Sequence, residues 1–126
     1  MASAQPAKKG VALVVDDEMA VRMCTSDVLA DMGYEVVEAG SAEDALHALA
    51  DGLVPDVLIT DQLMPGMSGA DLAREVTLRH PHAAVVLVSG YTSVQLDPGL
   101  VLLNKPFRMR DLVASVETAT AAVRER

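Results

Sequence analysis

Residues 11–18 read Val-Ala-Leu-Val-Val-Asp-Asp-Glu, five apolar residues that stop abruptly on three acids. The run does not alternate polar with apolar, as expected of a strand covered on both faces of a parallel sheet. Asp56–Thr60 and Ala83–Val88 have the same character, and Glu35–Glu38 and Leu100–Leu103 are further short strand candidates. Amphipathic stretches lie between them. The first carries Val21, Cys24, Val28 and Met32 and stops at Gly33, a left-handed cap candidate. The second starts at Ser41 with Asp44 three residues on, over a stripe of Ala42, Ala45, Leu46 and Leu49. The third starts near Ser68, with Asp71 in the same relation, and the last carries Leu112, Val116, Ala119 and Val123. Strand then helix, repeated, gives an α/β fold with a parallel sheet.

The fourth unit is short. Only 16 positions separate Ser89 from Lys105 (105 − 89), and Pro98-Gly99 is a turn signal. Its helix is expected to be one or two turns, or irregular. The 126 residues suit one domain, expected over residues 11–126 after a flexible tail of residues 1–10. A single cysteine, Cys24, forbids an intrachain disulfide, fits a reducing compartment and reads as a small buried residue. No stretch approaches the ~20 apolar residues of a membrane span, so a cytoplasmic protein is expected. The formal net charge of −8 argues against direct nucleic-acid binding and against an anionic membrane.

The acids fall at informative places. Asp16 and Asp17 follow the first strand and Asp61 follows the third. Ligands of open α/β sheets bind at the carboxyl ends of strands, where strand order reverses. If that order is 2-1-3-4-5, all three carboxylates share one crevice. Two like charges ~4 Å apart repel by roughly 4 kcal/mol at an effective dielectric of ~20. Three such pairs approach ~10 kcal/mol, comparable to a whole domain's stability. A divalent cation resolves the conflict. Oxygen ligands select magnesium or calcium, and few carboxylates with room for water favour magnesium. Ser89 and Lys105, at the ends of the fourth and fifth strands, face the same rim. A carboxylate nucleophile beside a metal, an ammonium and a hydroxyl suits phosphoryl transfer.

Taken together, VVDDE (14–18), TDQLMPGMSG (60–69), LVSGYT (87–92) and NKPF (104–107) resemble the receiver domain of two-component response regulators over about residues 11–124. The resemblance implies a flavodoxin-like (βα)5 three-layer sandwich with sheet order 2-1-3-4-5. It implies that Asp61 accepts the phosphoryl group from a histidine kinase or histidine phosphotransfer protein. It implies a Mg2+ ion held by Asp17, Asp61 and the main-chain carbonyl of Leu63, with Asp16 acting largely through water. Ser89 would be the switch hydroxyl and Lys105 the bridge to the phosphoryl oxygens, after a Lys105–Pro106 peptide that is often cis. Leu102 stands where such domains commonly carry an aromatic switch residue, which argues against an aromatic swing at the usual output surface. Tyr91, two positions after Ser89, is a candidate for tuning phosphoryl lifetime, together with Leu63. The LVSGYT and LLNKPFRMRDL stretches look most like the receiver of a hybrid histidine kinase, with a stand-alone regulator as the other setting. The downstream protein target is unknown, and a monomer or weak dimer is expected.

Three other classes fit less well. An Asp-nucleophile phosphatase wants a second acid two residues after the nucleophile, and that residue is Leu63. A nucleotide- or flavin-binding domain wants glycines after the first strand, where this chain has Asp-Asp-Glu. A docking module that is never phosphorylated would have lost an acid or the lysine, and all are present. His80-Pro81-His82 has metal-pair spacing without a third ligand and reads as a helix end, His47 reads as exposed, and Met64, Met67 and the other methionines read as core filler.

Overall fold

A computed structural model of the chain describes residues 9–90 and 100–124. The elements run β1 (Val11–Val15), α1 (Met19–Asp31), β2 (Glu35–Ala39), α2 (Ala42–Ala50), β3 (Val57–Asp61), α3 (Gly69–Arg79), β4 (Ala84–Ser89), β5 (Val101–Asn104) and α4 (Met109–Arg124). The five strands pair in parallel in the order β2-β1-β3-β4-β5, the order at which β1 and β3 sit side by side. The helix expected in the fourth unit, and Tyr91 with it, lie outside the described residues.

Both faces of the sheet are sealed. On one, Val28 and Leu29 of α1 and Leu112, Val116 and Ala119 of α4 pack on Ala12, Val14, Val57, Ile59 and Val86. On the other, Ala42, Ala45 and Leu49 of α2 and Leu72, Ala73 and Val76 of α3 pack on Leu13, Val15, Leu58 and Val85. That double burial is why β1, β3 and β4 are apolar at successive positions rather than alternate ones. It makes the three-layer sandwich that the resemblance implies.

Local signals set the element ends. The Ser41 and Ser68 hydroxyls accept from the backbone N–H groups of Asp44 (3.0 Å) and Asp71 (3.2 Å), capping α2 and α3. Gly33 takes φ +102° after α1, the left-handed position glycine occupies without strain. Four strands end one residue further along than expected: β2 at Ala39, β3 at Asp61, β4 at Ser89 and β5 at Asn104, which Lys105 directly follows. Asp56 instead turns its carboxylate to the N–H of Val11 at 2.7 Å. Lys9 and Gly10, assigned to the tail, are bonded to the next strand connection, Lys9 N–H to Gly33 and Glu35 N–H to Gly10, each at 2.9 Å.

The phase of α1 differs from expectation. Cys24 is exposed rather than buried, because the helix buries Thr25, Ser26, Val28 and Leu29. The inward stripe is turned by about one residue from the Val21–Cys24–Val28 line. The same turn leaves Met19 and Met23 at the surface, and Met109 of α4 is exposed too, so these three are not core filler. Met64 and Met67 do pack against the α2–α3 face.

Gly69 opens α3 directly against the end of β3. A β-carbon there would run into the Asp61 carbonyl and the Leu87 side chain, and neither backbone nor core yields easily. Gly69→Ala is therefore expected to destabilise the domain by about 1–3 kcal/mol, read as a lower midpoint in urea unfolding. An unchanged midpoint would mean that α3 approaches β3 less closely.

Candidate functional site

Strand register assembles the site. Val15 pairs with Thr60, so the next residues, Asp16 and Asp61, leave the sheet edge side by side. Asp61 pairs with Val88 and Ser89 with Asn104, which brings Ser89 and Lys105 to the same edge. Parallel strands at ~4.8 Å spacing make that edge a compact rim. The result is a cleft of about 430 Å³ lined by Asp17, Glu18, Asp61, Leu63, Ser89, Gly90 and Lys105.

Asp16, Asp17 and Asp61 each offer an oxygen within 4.8 Å of the others, and among the described residues no other His, Cys, Asp or Glu cluster does so. Lys105 Nζ lies 3.2 Å from Asp61 Oδ1. Asp16 and Asp61 are each 6 % exposed and Ser89 1 %, whereas Asp17 is exposed. Val14, Val15, Val21, Ile59, Val88 and Phe107 form an apolar floor beneath Asp16 and Asp61. Burial on that floor is the main cause that pushes the Asp16 carboxyl up from its ordinary value. The Glu18 N–H, donating to Asp16 Oδ1 at 2.9 Å, works against it. The charge of Asp61 adds to the rise, Lys105 opposes it, and Asp17 adds a little more.

These donors fit a hard divalent cation. All are carboxylate oxygens, they are too close together to carry three uncompensated charges, and the exposed Asp17 leaves an open side for water or phosphate oxygens. The cleft brings together every sequence-derived site residue except three. Tyr91 lies outside the described residues. Asp16 is buried beside Asp61 over the apolar floor and does not line the cleft. Leu102 is partly buried within β5, paired with Leu87. The Lys105–Pro106 peptide is cis, as the resemblance implies. Glu18 and Gly90 on the cleft wall were not singled out from sequence; each simply adjoins a residue that was. His47 is exposed on α2 and His80 caps α3, and neither lines the cleft.

A response regulator receiver domain model matches residues 12–117. The chain belongs to that family. This receiver is 36 % identical over 112 residues to the sensor kinase CckA of Brucella abortus, covering 83 % of this chain and 12 % of the kinase. It is 34 % identical over 120 residues to the transcriptional regulatory protein PdtaR of Mycobacterium tuberculosis, covering 90 % of this chain and 58 % of that protein. The receiver thus spans only part of the length of these curated relatives. Among solved structures, the receiver domain of the hybrid histidine kinase CckA superposes with a TM-score of 0.74 at 34 % identity, over 88 % of this chain and 99 % of that one. A receiver protein from Sinorhizobium medicae gives a TM-score of 0.83 at 25 % identity, over 93 % and 97 %. The fold is the flavodoxin-like one of CheY-like receivers, and a phosphoryl-acceptor role fits the family and its acidic cluster. Among the described residues no helix is long and apolar enough to cross a membrane.

The crowding of acids has a measurable consequence without metal. The folded-state pKa of Asp16 lies above its unfolded value. Ionised Asp16 therefore costs folded stability at neutral pH, and the cost shrinks as pH falls below the raised folded value and is gone below the unfolded one. Asp16→Asn keeps the acceptor for the Glu18 N–H and removes the charge. It is expected to stabilise the metal-free domain at pH 7, by less than the roughly 4 kcal/mol of one bare like-charge pair, because Lys105 and the Glu18 N–H already offset part of the cost. The gap from wild type should narrow on acidification. Denaturant melts at several pH values in the presence of EDTA check this, and a destabilised variant at pH 7 would refute it.

Proposed function

We propose that this receiver takes a phosphoryl group on Asp61, in a magnesium-dependent reaction, from a phosphohistidine of a histidine kinase or phosphotransfer protein. The observation that carries the reading is the placement of one buried carboxylate, Asp61, within 3.2 Å of the Lys105 ammonium and within 4.8 Å of two further acids. In the transfer, an Asp61 carboxylate oxygen bonds to phosphorus as the phosphorus–nitrogen bond to the donor imidazole breaks. The product is an acyl phosphate, and the leaving imidazole is the histidine side chain. Asp16, Asp17 and Asp61, with the Leu63 carbonyl, would hold Mg2+, which neutralises the acids and the charge on the transferring oxygens.

The chain's own groups do the remaining work. Lys105 sits against Asp61 before transfer and can move its charge onto a phosphoryl oxygen afterwards, since the ammonium is a point donor on a flexible stem. Ser89, at the end of the neighbouring strand, offers its hydroxyl to another oxygen. That shift of partners is the event by which phosphorylation would alter the surface read by a downstream protein. Leu63, 60 % exposed at the cleft mouth, and Tyr91 would set water access and hence the lifetime of the acyl phosphate. In this reading the folded unit occupies residues 11–126, extended by the anchored Lys9 and Gly10. The chemistry it promotes is confined to its own phosphorylation and dephosphorylation.

Incubation with phosphoramidate and magnesium should add one phosphoryl group, read as a single mass increment labile to hydroxylamine. Asp61→Asn should show none; an increment that persists in that variant would place the acceptor elsewhere. Lys105→Ala should keep the fold by circular dichroism yet slow labelling by on the order of 100–1,000-fold, the scale for losing one donor to a developing anion. Labelling at the wild-type rate would remove Lys105 from the mechanism.

A further inference from the structure

Arg22 lies in α1, outside the cleft, with a side chain only 16 % exposed. Its Nη1 donates to the backbone carbonyl of Asp16 at 2.7 Å, and its Nε donates to Glu38 Oε1 at 3.0 Å. Glu38 belongs to β2, so the guanidinium bridges the helix, the edge strand and the turn that carries the acids. That turn has two further restraints. The Asp16 N–H donates to the Ala39 carbonyl at 3.2 Å, and the Asp16 carboxylate accepts from the Glu18 N–H. Asp16 is therefore gripped through its amide, its carbonyl and its side chain.

We propose that Arg22 is a positioning residue for the cation site: it locks the Asp16–Asp17 turn in the orientation that presents both carboxylates, acting through the Asp16 carbonyl. This rests on the magnesium-dependent reading of the site given above. The planar fork suits the task, because two of its donors reach two acceptors on different elements at once. Restraint of this kind, one step removed from the ligands, affects metal affinity because loose ligands must be ordered on binding.

Arg22 could also act on the site as a bare positive charge, and the two roles predict opposite signs. A cation near three carboxylates opposes the entry of a second cation, so its removal as a charge would tighten magnesium binding. Its removal also frees the charge of Glu38, which works in the same direction. A lost clamp weakens binding instead.

Magnesium affinity of the full chain is to be measured by isothermal titration calorimetry, well below the melting transition, for wild type, Arg22→Met, Arg22→Lys and Glu38→Gln. Arg22→Met is expected to weaken binding by about tenfold, the low end for groups that orient ligands. Arg22→Lys keeps the charge but not the fork, and is expected to weaken binding by a smaller factor. Glu38→Gln keeps an acceptor for Nε and should shift it least. Unchanged or tighter binding in Arg22→Met overturns the proposal, even where the melting temperature falls, because that is the signature of a purely structural arginine. Should Arg22→Met fail to fold, Arg22→Lys decides by the same sign. A wild-type protein that binds no magnesium refutes the reading of the site itself, an outcome separate from wild-type binding that the variants leave intact.

Discussion

Pairing of β1 with β3 forces Asp16 and Asp61 together, and Asp17 completes a group of three carboxylates within 4.8 Å. The register that aligns the buried valines and leucines of the two strands is the same register that aligns the acids beyond them. Slipping by one residue would separate the charges but would also turn every core side chain of a strand to the opposite face. The hydrophobic core therefore holds the acids in a repulsive arrangement that they would not adopt alone. Lys105 offsets one charge, and the Glu18 N–H supports another, which leaves an electrostatic demand for a cation.

The remaining parts of the molecule serve that rim. A sheet covered on both faces is stiff, so its edge presents side chains at fixed spacing. The apolar floor under Asp16 and Asp61 lowers the local dielectric, which raises the cost of the bare acids and strengthens any positive partner. Gly69 lets α3 start against the last carbonyl of β3, and the backbone of Gln62 bonds to Val88 at 2.8 Å. Asp61 is thus fixed by packing before and after it. A nucleophile held this way needs little reorganisation when an incoming phosphorus arrives.

Much of this is legible in the amino-acid order. Unbroken apolar runs mark doubly covered strands, Ser41 and Ser68 mark two helix starts, and the acids at strand ends mark the site. What was not legible has physical causes. The phase of α1 depends on which residues meet the sheet: Cys24 shares the helical spacing of Val21 and Val28, yet the residues buried beside Val28 are Thr25, Ser26 and Leu29. The tail boundary misses Lys9 and Gly10, since bonds to Gly33 and Glu35 leave no local pattern. The same holds for Arg22 and Glu38, which are 16 residues apart in sequence and meet only after β2 pairs with β1. The ends of β3, β4 and β5 differ by one residue because a polar residue closing a strand, Asp61, Ser89 or Asn104, reads like one opening a loop.

Thermal unfolding with and without millimolar magnesium tests the central claim most directly. A cation that binds the folded acids stabilises the domain in proportion to the logarithm of its concentration over its dissociation constant. The wild-type melting temperature should rise with magnesium, and that rise should vanish in Asp17→Asn. A wild-type melting temperature indifferent to magnesium, or an equal rise in Asp17→Asn, would contradict the account.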